Sequence, residues 1–419
     1  MLFTISVQNH RLRLSGSNCL IFLCLGAFLA SCAPKILRPG GKGTKTPTEK
    51  APEKDKTENE KPEVEAPVHF NQIALLLPFQ LNRVIDSLPN SRDVERASLA
   101  LDFYQGFKLG LDQVANQGNN FKLHVLDTRD NTLEVQRVAA DEQVTEADLI
   151  VGPVFPTEIN AFGSRAHLEG KLQVSPLAAS TPTGNQINNL VTVTPTIAVH
   201  AETIANYMVK QYGNAASRIV IFNNQDEDSQ KLLNPLKADL EERHVTYTEV
   251  EALEDLEIAL QATGKNLVVA GSTNLYAVSP LIASLARLKT EEGYDIALIG
   301  HPNWIKLDLN NEYLAALRTC ITSSYYTDLS KQETAEFKAD YGELYKIQPT
   351  EFAYKGYDTG KFFGTLLAKY PTDYVKQLTE QKGDGIAIGF AFAFDPNSGY
   401  VNHHVQLLRF NGDGYKPLK

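Results

Sequence analysis

An α/β protein built from doubly wound parallel sheets is predicted by three features of residues 69–419. Short apolar runs recur along this region, and several are continuously apolar, as strands buried on both faces of a parallel sheet must be. Stretches with apolar residues at helical spacing separate them. At about 350 residues the region is long enough for two domains with separate cores.

Taken in order, the expected strands are Ile73 to Pro78, Leu123 to Asp127, Leu149 to Val154, Gln173 to Pro176 and Val191 to Val193, then Ile219 to Phe222, Val245 to Val250, Leu267 to Ala270, Ile296 to Ile299 and Cys320 to Tyr325. The expected helices between them are Ser98 to Val114, Val135 to Val144, Ala198 to Tyr212, Ser229 to Glu242, Leu256 to Thr263 and Ala277 to Leu288. Repeated strand-helix units imply right-handed crossovers. The order breaks after Tyr326, where two helical stretches follow one another, Gln332 to Tyr345 and Thr350 to Lys369. Ile386 to Phe394, a turn at Asp395 to Gly399, and Val405 to Phe410 then read as a hairpin or return strand.

The amino-terminal part is of a different kind. Arg11 and Arg13 precede an apolar run, Cys19 to Ala30, whose twelve residues at about 1.5 Å each are too short for a hydrocarbon core about 30 Å thick. It has the character of a signal-peptide apolar region rather than an anchor helix. Its end, Leu29-Ala30-Ser31-Cys32, resembles the lipobox of bacterial lipoprotein signal peptides. The resemblance implies cleavage before Cys32 and acylation of that cysteine, with each buried methylene contributing about 0.8 kcal/mol to membrane attachment. An ordinary secretory signal with a chance cysteine is the alternative. From Pro34 to Val68 the chain is rich in Pro, Lys, Glu, Thr and Gly, and expected to be a disordered tether (residues 32–68 counting from the anchor) that keeps the folded part in the cell envelope, outside the cytoplasm.

Of the four cysteines, Cys19 and Cys24 would be removed with the signal and Cys32 acylated, leaving Cys320 alone as a small buried core residue. No intrachain disulfide and no cysteine-based metal site is then expected. A net charge of -10 gives nucleic-acid binding no electrostatic support.

The opening Ile73-Ala74-Leu75-Leu76-Leu77-Pro78-Phe79, then Tyr104-Gln105-Gly106-Phe107, Asp127, Gly152-Pro153 and Val174-Ser175-Pro176 form one set of stretches, and the late set Phe337, Tyr341, Tyr345, Pro349, Phe352 and Gly356-Tyr357-Asp358 is the most specific. Together they resemble the type I periplasmic solute-binding fold, in its leucine-binding branch. The resemblance covers essentially all of 69–419 and implies two wound-sheet lobes joined by three crossing segments, with a ligand between them. Lobe one would comprise 69–194 and 327–391, and lobe two 195–326 and 392–419.

Open α/β sheets present a crevice at their strand carboxyl ends, where loops and helix N-termini offer unpaired N–H donors. On that mapping the candidate ligand-binding residues are Phe79, Gln80, Asp127, Phe155, Thr157, Ala179, Ser180 and Thr181 in lobe one, and Asp228, Ser272, Thr273, Asn303 and Trp304 in lobe two. Each has a plainer alternative. Ser180, Thr181 and Thr183 near Pro182 suit turns and caps as well as a carboxylate. Trp304, the only tryptophan, suits a stacking wall or a buried anchor. His301 suits an internal hydrogen-bond partner. Asp226, Glu227 and Asp228 suit a cation site or helix caps. His403 and His404 would face opposite sides of a strand and share no metal.

The amino-acid binders of that branch use hydroxyl or backbone donors for the carboxylate, and an acid with an aromatic for the ammonium and side chain. Here Phe155-Pro156-Thr157 loses a donor at Pro156, the loop His301-Pro302-Asn303 has no acid and Gly271-Ser272-Thr273-Asn274 has no tyrosine. A buried ammonium without an anionic partner is costly. The expectation is a small polar ligand, delivered to an ABC permease. The chain is also similar to the corresponding domain of lipoprotein activators of penicillin-binding proteins, which dock to a peptidoglycan synthase. Their tetratricopeptide-like helical domain has no counterpart here. The sequence contains no Gly-Xaa-Ser-Xaa-Gly elbow, His-Glu-Xaa-Xaa-His, Walker loop or dinucleotide fingerprint, and neither catalysis nor a cofactor is expected.

Overall fold

The computed structural model describes residues 70–84, 88–179, 187–213 and 216–418. Cys32, the signal and tether, and Ser180, Thr181 and Thr183 lie outside the described residues.

The chain begins with β1 (Asn71–Leu77), α1 (Ser91–Ala115), β2 (Phe121–Asp127), α2 (Thr132–Val138), α3 (Glu142–Thr145), β3 (Leu149–Val151), α4 (Pro156–Gly163), β4 (Leu172–Ser175) and β5 (Leu190–Thr192). All five strands are parallel, in the spatial order β5-β4-β3-β1-β2. Ile73 to Leu77 are wholly buried because both faces of β1 are covered, which explains the unbroken apolar run. Leu75 and Leu77 face one core with Phe103 and Phe107, while Ala74 and Leu76 face another with Val135 and Phe162.

A second wound unit follows: α5 (Ile197–Tyr212), β6 (Ser217–Phe222), α6 (Glu227–Glu242), β7 (Thr248–Val250), α7 (Leu256–Ala259), β8 (Lys265–Ala270), α8 (Leu275–Glu291), β9 (Asp295–Gly300), α9 (Asn311–Ala316) and β10 (Cys320–Ser323). Its strands run in the order β10-β9-β8-β6-β7. Apolar side chains of β6, β8 and β9 alternate between the core beneath α8 and the core beneath α5 and α6.

The chain then returns to the first unit through α10 (Gln332–Tyr345), α11 (Glu351–Lys369), α12 (Tyr374–Gln377), β11 (Lys382–Asp384), β12 (Gly389–Asp395) and β13 (Gly399–Asn402), and finishes in the second with β14 (Gln406–Phe410) and β15 (Tyr415–Pro417). Both sheets are therefore mixed, with antiparallel strands added at one side. The molecule is an α/β protein of two lobes, and its chain passes between them three times.

The boundary expected at 391/392 needs correction. Tyr400 and Val401 of β13 pair with Val191 and Thr192 of β5, so β12 and β13 both belong to lobe one and the last crossing falls at 403–405. The hairpin partner of β12 is β13; the run expected in that role forms β14 and pairs with β10. β13 has four residues with one apolar pair, Tyr400-Val401, too short a pattern to stand out. Helix α4 was also hidden, although Pro156 at its first turn is a recognised start signal.

α1 and α11 pack closely and run parallel. A methyl group on Gly106 would land on the Ala353 carbonyl oxygen, and one on Gly356 on the Phe103 carbonyl oxygen. Only glycine permits this approach, and it brings the amino-terminal turns of both helices to the same edge of lobe one.

Candidate functional site

The three crossings leave and enter the lobes at the carboxyl ends of β5, β10 and β13, so the carboxyl edges of the two sheets are joined there. Each sheet also has its topological switch point at this edge. In lobe one it lies between β1 and β3, because β2 follows on one side and β3 on the other; in lobe two it lies between β6 and β8. Crevices in wound sheets form at such points.

The crossings are tied together by side chains whose hydrogen-bonding capacity is filled. Asn402, buried at the end of β13, donates to the Val193 carbonyl at 2.9 Å and the Gly389 carbonyl at 2.8 Å, and accepts from Ala391 N at 2.9 Å and His404 N at 3.0 Å. It thereby staples the first crossing to the third. Tyr326 N in the second crossing donates to the Ala387 carbonyl at 2.9 Å. The 386–388 segment is held by Asp358 of α11, whose carboxyl accepts from Ile386 N, Ala387 N and Ile388 N at 2.8, 2.9 and 2.9 Å. Burial pushes this carboxyl up to about 7, against the opposing pull of the three N–H donors. The Gly356-Tyr357-Asp358 stretch thus fastens the 386–388 segment, to which the second crossing is tied through Tyr326.

On the lobe-one edge, Phe79 follows β1 and Phe155 follows β3, both half-buried against the core. Phe79 meets Tyr104 of α1 edge to face at 6.2 Å. Gln80 adopts a left-handed conformation, φ 56°, directly after Phe79. Asp127 does not point a free carboxylate into the crevice: its oxygens accept from Gln80 N, Leu81 N and Arg129 N at 3.0, 2.9 and 2.8 Å, pinning the β1 loop. Its assignment as a ligand group is corrected to that of a loop cap. Thr157 is exposed at the start of α4, and Ala179 is exposed after β4.

On the lobe-two edge the loops after β6, β8 and β9 converge. Asp226 caps α6, accepting from Ser229 N at 2.7 Å, and also accepts from Asn224 at 2.8 Å and from the Ser272 hydroxyl. Asp228 accepts from the Thr273 hydroxyl. The aspartates therefore serve as caps and loop ties, the plainer of the two readings. Ser272 is buried and also accepts from Asn274 N at 3.1 Å, so it is a loop organiser; Thr273 is half-buried and Asn303 exposed.

Trp304 is a correction. It is 1% exposed, packs in the lobe-two core, lies against Gly300 where any side chain would collide with its ring, and donates from Nε1 to the Ser272 carbonyl at 2.7 Å. It anchors one rim loop to the next and presents no face to a ligand. His301 is buried and accepts from Asn303 N at 3.0 Å through Nδ1; burial lowers its pKa despite Asp228 and Asp226 nearby. His200, which meets the Thr322 hydroxyl at 2.9 Å, is pushed down to about 4 by burial and by His301.

A cation that no sequence motif marks also stands at this edge. Lys355, in the first turns of α11, has its ammonium 5.2 Å from the centre of the Tyr325 ring in the second crossing and 5.7 Å from that of Phe352. Its nearest acid is Glu351, at 3.8 Å. Burial lowers its pKa, Glu351 opposes this, and Lys306 of the lobe-two rim lowers it further. The two lysines of opposite lobes therefore feel one another across the edge. Two small residues four apart on each helix, Gly106 and Gly110 facing Gly356 and Gly360, were the signal that α1 and α11 pack closely and so place Lys355 beside the crevice.

The sequence profile of the periplasmic binding protein family matches residues 95–414. The chain belongs to the periplasmic binding protein family. Solved structures agree on the fold. A putative branched-chain amino acid ABC transporter from Rhodospirillum rubrum is 17% identical with a TM-score of 0.59, covering 84% of this chain and 100% of its own. An ABC-type branched-chain amino acid transporter from Rhodopseudomonas palustris is 14% identical with a TM-score of 0.56, covering 83% and 96%. An ABC transporter substrate-binding protein from Desulfitobacterium hafniense in complex with Leu is 18% identical with a TM-score of 0.51, covering 84% and 100%. No curated protein matches the chain. Among the described residues, no helix of this family member is long and apolar enough to cross a membrane.

Proposed function

We propose that the protein captures a small ligand between its two lobes, without transforming it, and that the lobes close on it about the three stapled crossings. The observation that carries this reading is the joining of two carboxyl edges, each with its switch point, through segments fastened by Asn402 and Asp358. Such an arrangement lets a ligand contact both lobes only in the closed state, and that differential contact is what shifts a hinge equilibrium. Phe79, Gln80, Phe155, Thr157, Ala179, Ser180 and Thr181 on one side and Asp228, Ser272, Thr273 and Asn303 on the other are the proposed walls or supports of the crevice.

Acylation at Cys32 and a tether over 32–68 would hold the binding unit at a membrane surface, where it would hand its ligand to an ABC permease. The likeness to transporter components supports that assignment by fold. A docking role is the second reading, with a peptidoglycan synthase of the penicillin-binding type as partner. It is favoured by apolar exposure near the lobe-two rim, where Leu275, Tyr276 and Ile305 are 41%, 93% and 51% exposed. Thermal-shift screening of the full mature chain with amino acids, organic acids, peptides and muropeptides separates the readings. A stabilising small ligand is the expected result. Silence across the screen, with crosslinking to a penicillin-binding protein in intact cells, would replace ligand capture with docking. Cys32→Ser is expected to release the chain from the membrane fraction, and unchanged partition would remove the lipid anchor.

A further inference from the structure

We infer that the ligand is an organic anion with an apolar body and no ammonium group, its charge met by Lys355. The inference rests on the interlobe reading and names the ligand class for that crevice.

The charged groups at the edge differ in what they have left to offer. Asp127 is engaged by three backbone N–H groups, Asp226 by Ser229 N, Asn224 and Ser272, and Asp228 by Thr273. An incoming ammonium would have to compete with donors already in place on these three, and at Glu351 with Lys355 itself. Lys355 is in the opposite condition. Its side chain is 18% exposed, yet among the described residues its only ion-pair partner is Glu351 at 3.8 Å, beyond good hydrogen-bond distance and itself 42% exposed. A loose pair of this kind holds a lysine weakly. Three ammonium donors in a half-buried setting, with Lys306 adding positive potential from the other lobe, favour an anion that arrives as the lobes approach.

The surroundings define the rest of the ligand. Tyr325 and Phe352 flank the ammonium, and Phe79 and Phe155 stand half-buried at the ends of β1 and β3. Tyr325 and Phe352 present apolar surface next to the ammonium, and Phe79 and Phe155 add apolar surface at the same edge of lobe one, which suits a carboxylate carried on an aromatic or alkyl body.

The test is calorimetric titration of the full mature chain with benzoate and hexanoate, and with benzylamine, hexylamine and phenylalanine as matched probes. The carboxylates without an amine are expected to bind and the amines not to. Lys355→Gln is expected to weaken carboxylate binding roughly tenfold or more, as loss of a hydrogen bond to a charged group does, and Lys355→Arg to restore part of it. The comparison of carboxylates with amines on the unaltered protein needs no variant, so misfolding of Lys355→Gln would not spoil it. Amines or phenylalanine binding as well as benzoate, or Lys355→Gln leaving carboxylate affinity unchanged, would overturn the anion inference while leaving the crevice intact. No binding by any probe overturns the inference too; only equal silence in the wider screen would take the crevice reading with it.

Discussion

Replacing Asn402 by alanine is the sharpest perturbation of the hinge. The side chain fills four hydrogen bonds, two given to the Val193 and Gly389 carbonyls and two taken from Ala391 N and His404 N. Asn402 is 1% exposed and Val193 2% exposed, so water reaches the broken partners poorly. A buried group left unpaired costs about 1–3 kcal/mol. Counting the two carbonyls fully and the two less buried N–H groups at a discount gives a loss of about 3–5 kcal/mol. Urea unfolding followed by circular dichroism measures it. Asn402→Asp should do at least as much damage near neutral pH, because it keeps both acceptor bonds but sets a carboxylate against two carbonyls. Because the staple joins the first crossing to the third, either change should also weaken ligand-induced closure. A loss below about 1 kcal/mol for Asn402→Ala would refute the reasoning, since an unimportant staple cannot define a hinge.

Other outcomes follow from the same geometry. His200 is neutral and buried with its pKa lowered from 6.5 to about 4, so the unfolded chain takes up its proton first as pH falls. Stability is therefore fully present above about pH 6.5 and declines toward pH 4 by up to roughly 3 kcal/mol, a slope that His200→Gln should flatten in urea titrations at stepped pH. Gly356→Leu should drive α11 away from α1 and cost at least about 3 kcal/mol or prevent folding, read as a lowered melting temperature, whereas exposed Leu344→Ala on α10 should change little. Trp304 emission should be blue-shifted and resist acrylamide quenching with or without ligand, as its burial in the lobe-two core requires. A strongly quenched tryptophan would restore it to the crevice wall.

The fold was largely legible because its strands are buried on both faces and therefore read as unbroken apolar runs between amphipathic stretches, as at Ile73 to Leu77 and Leu267 to Ala270. The last crossing was not, because β13 carries its register through pairing with β5 and a turn rather than through an apolar pattern of its own. For the site, strand ends could be located but not the fate of each polar group there. Asp127 and Ser272 had residue types fit for a ligand and spend them on backbone amides. Trp304 has a ring fit for stacking and uses it to fill the space above Gly300. Lys355 escaped notice because it lies on a helix far along the chain, and only the close packing of two glycine-bearing helices brings it to the edge.

Ligand-driven closure is tested most directly by a distance across the crevice. Spin labels attached at Leu133→Cys and Tyr276→Cys, both exposed at the carboxyl edges of opposite lobes and outside the proposed crevice walls, report it by pulsed electron resonance with and without the tightest ligand of the screen. A distribution that shifts to shorter distance on binding, and shifts less in Asn402→Ala, is the predicted result. An identical distribution with saturating ligand bound would contradict the two-lobe closing account.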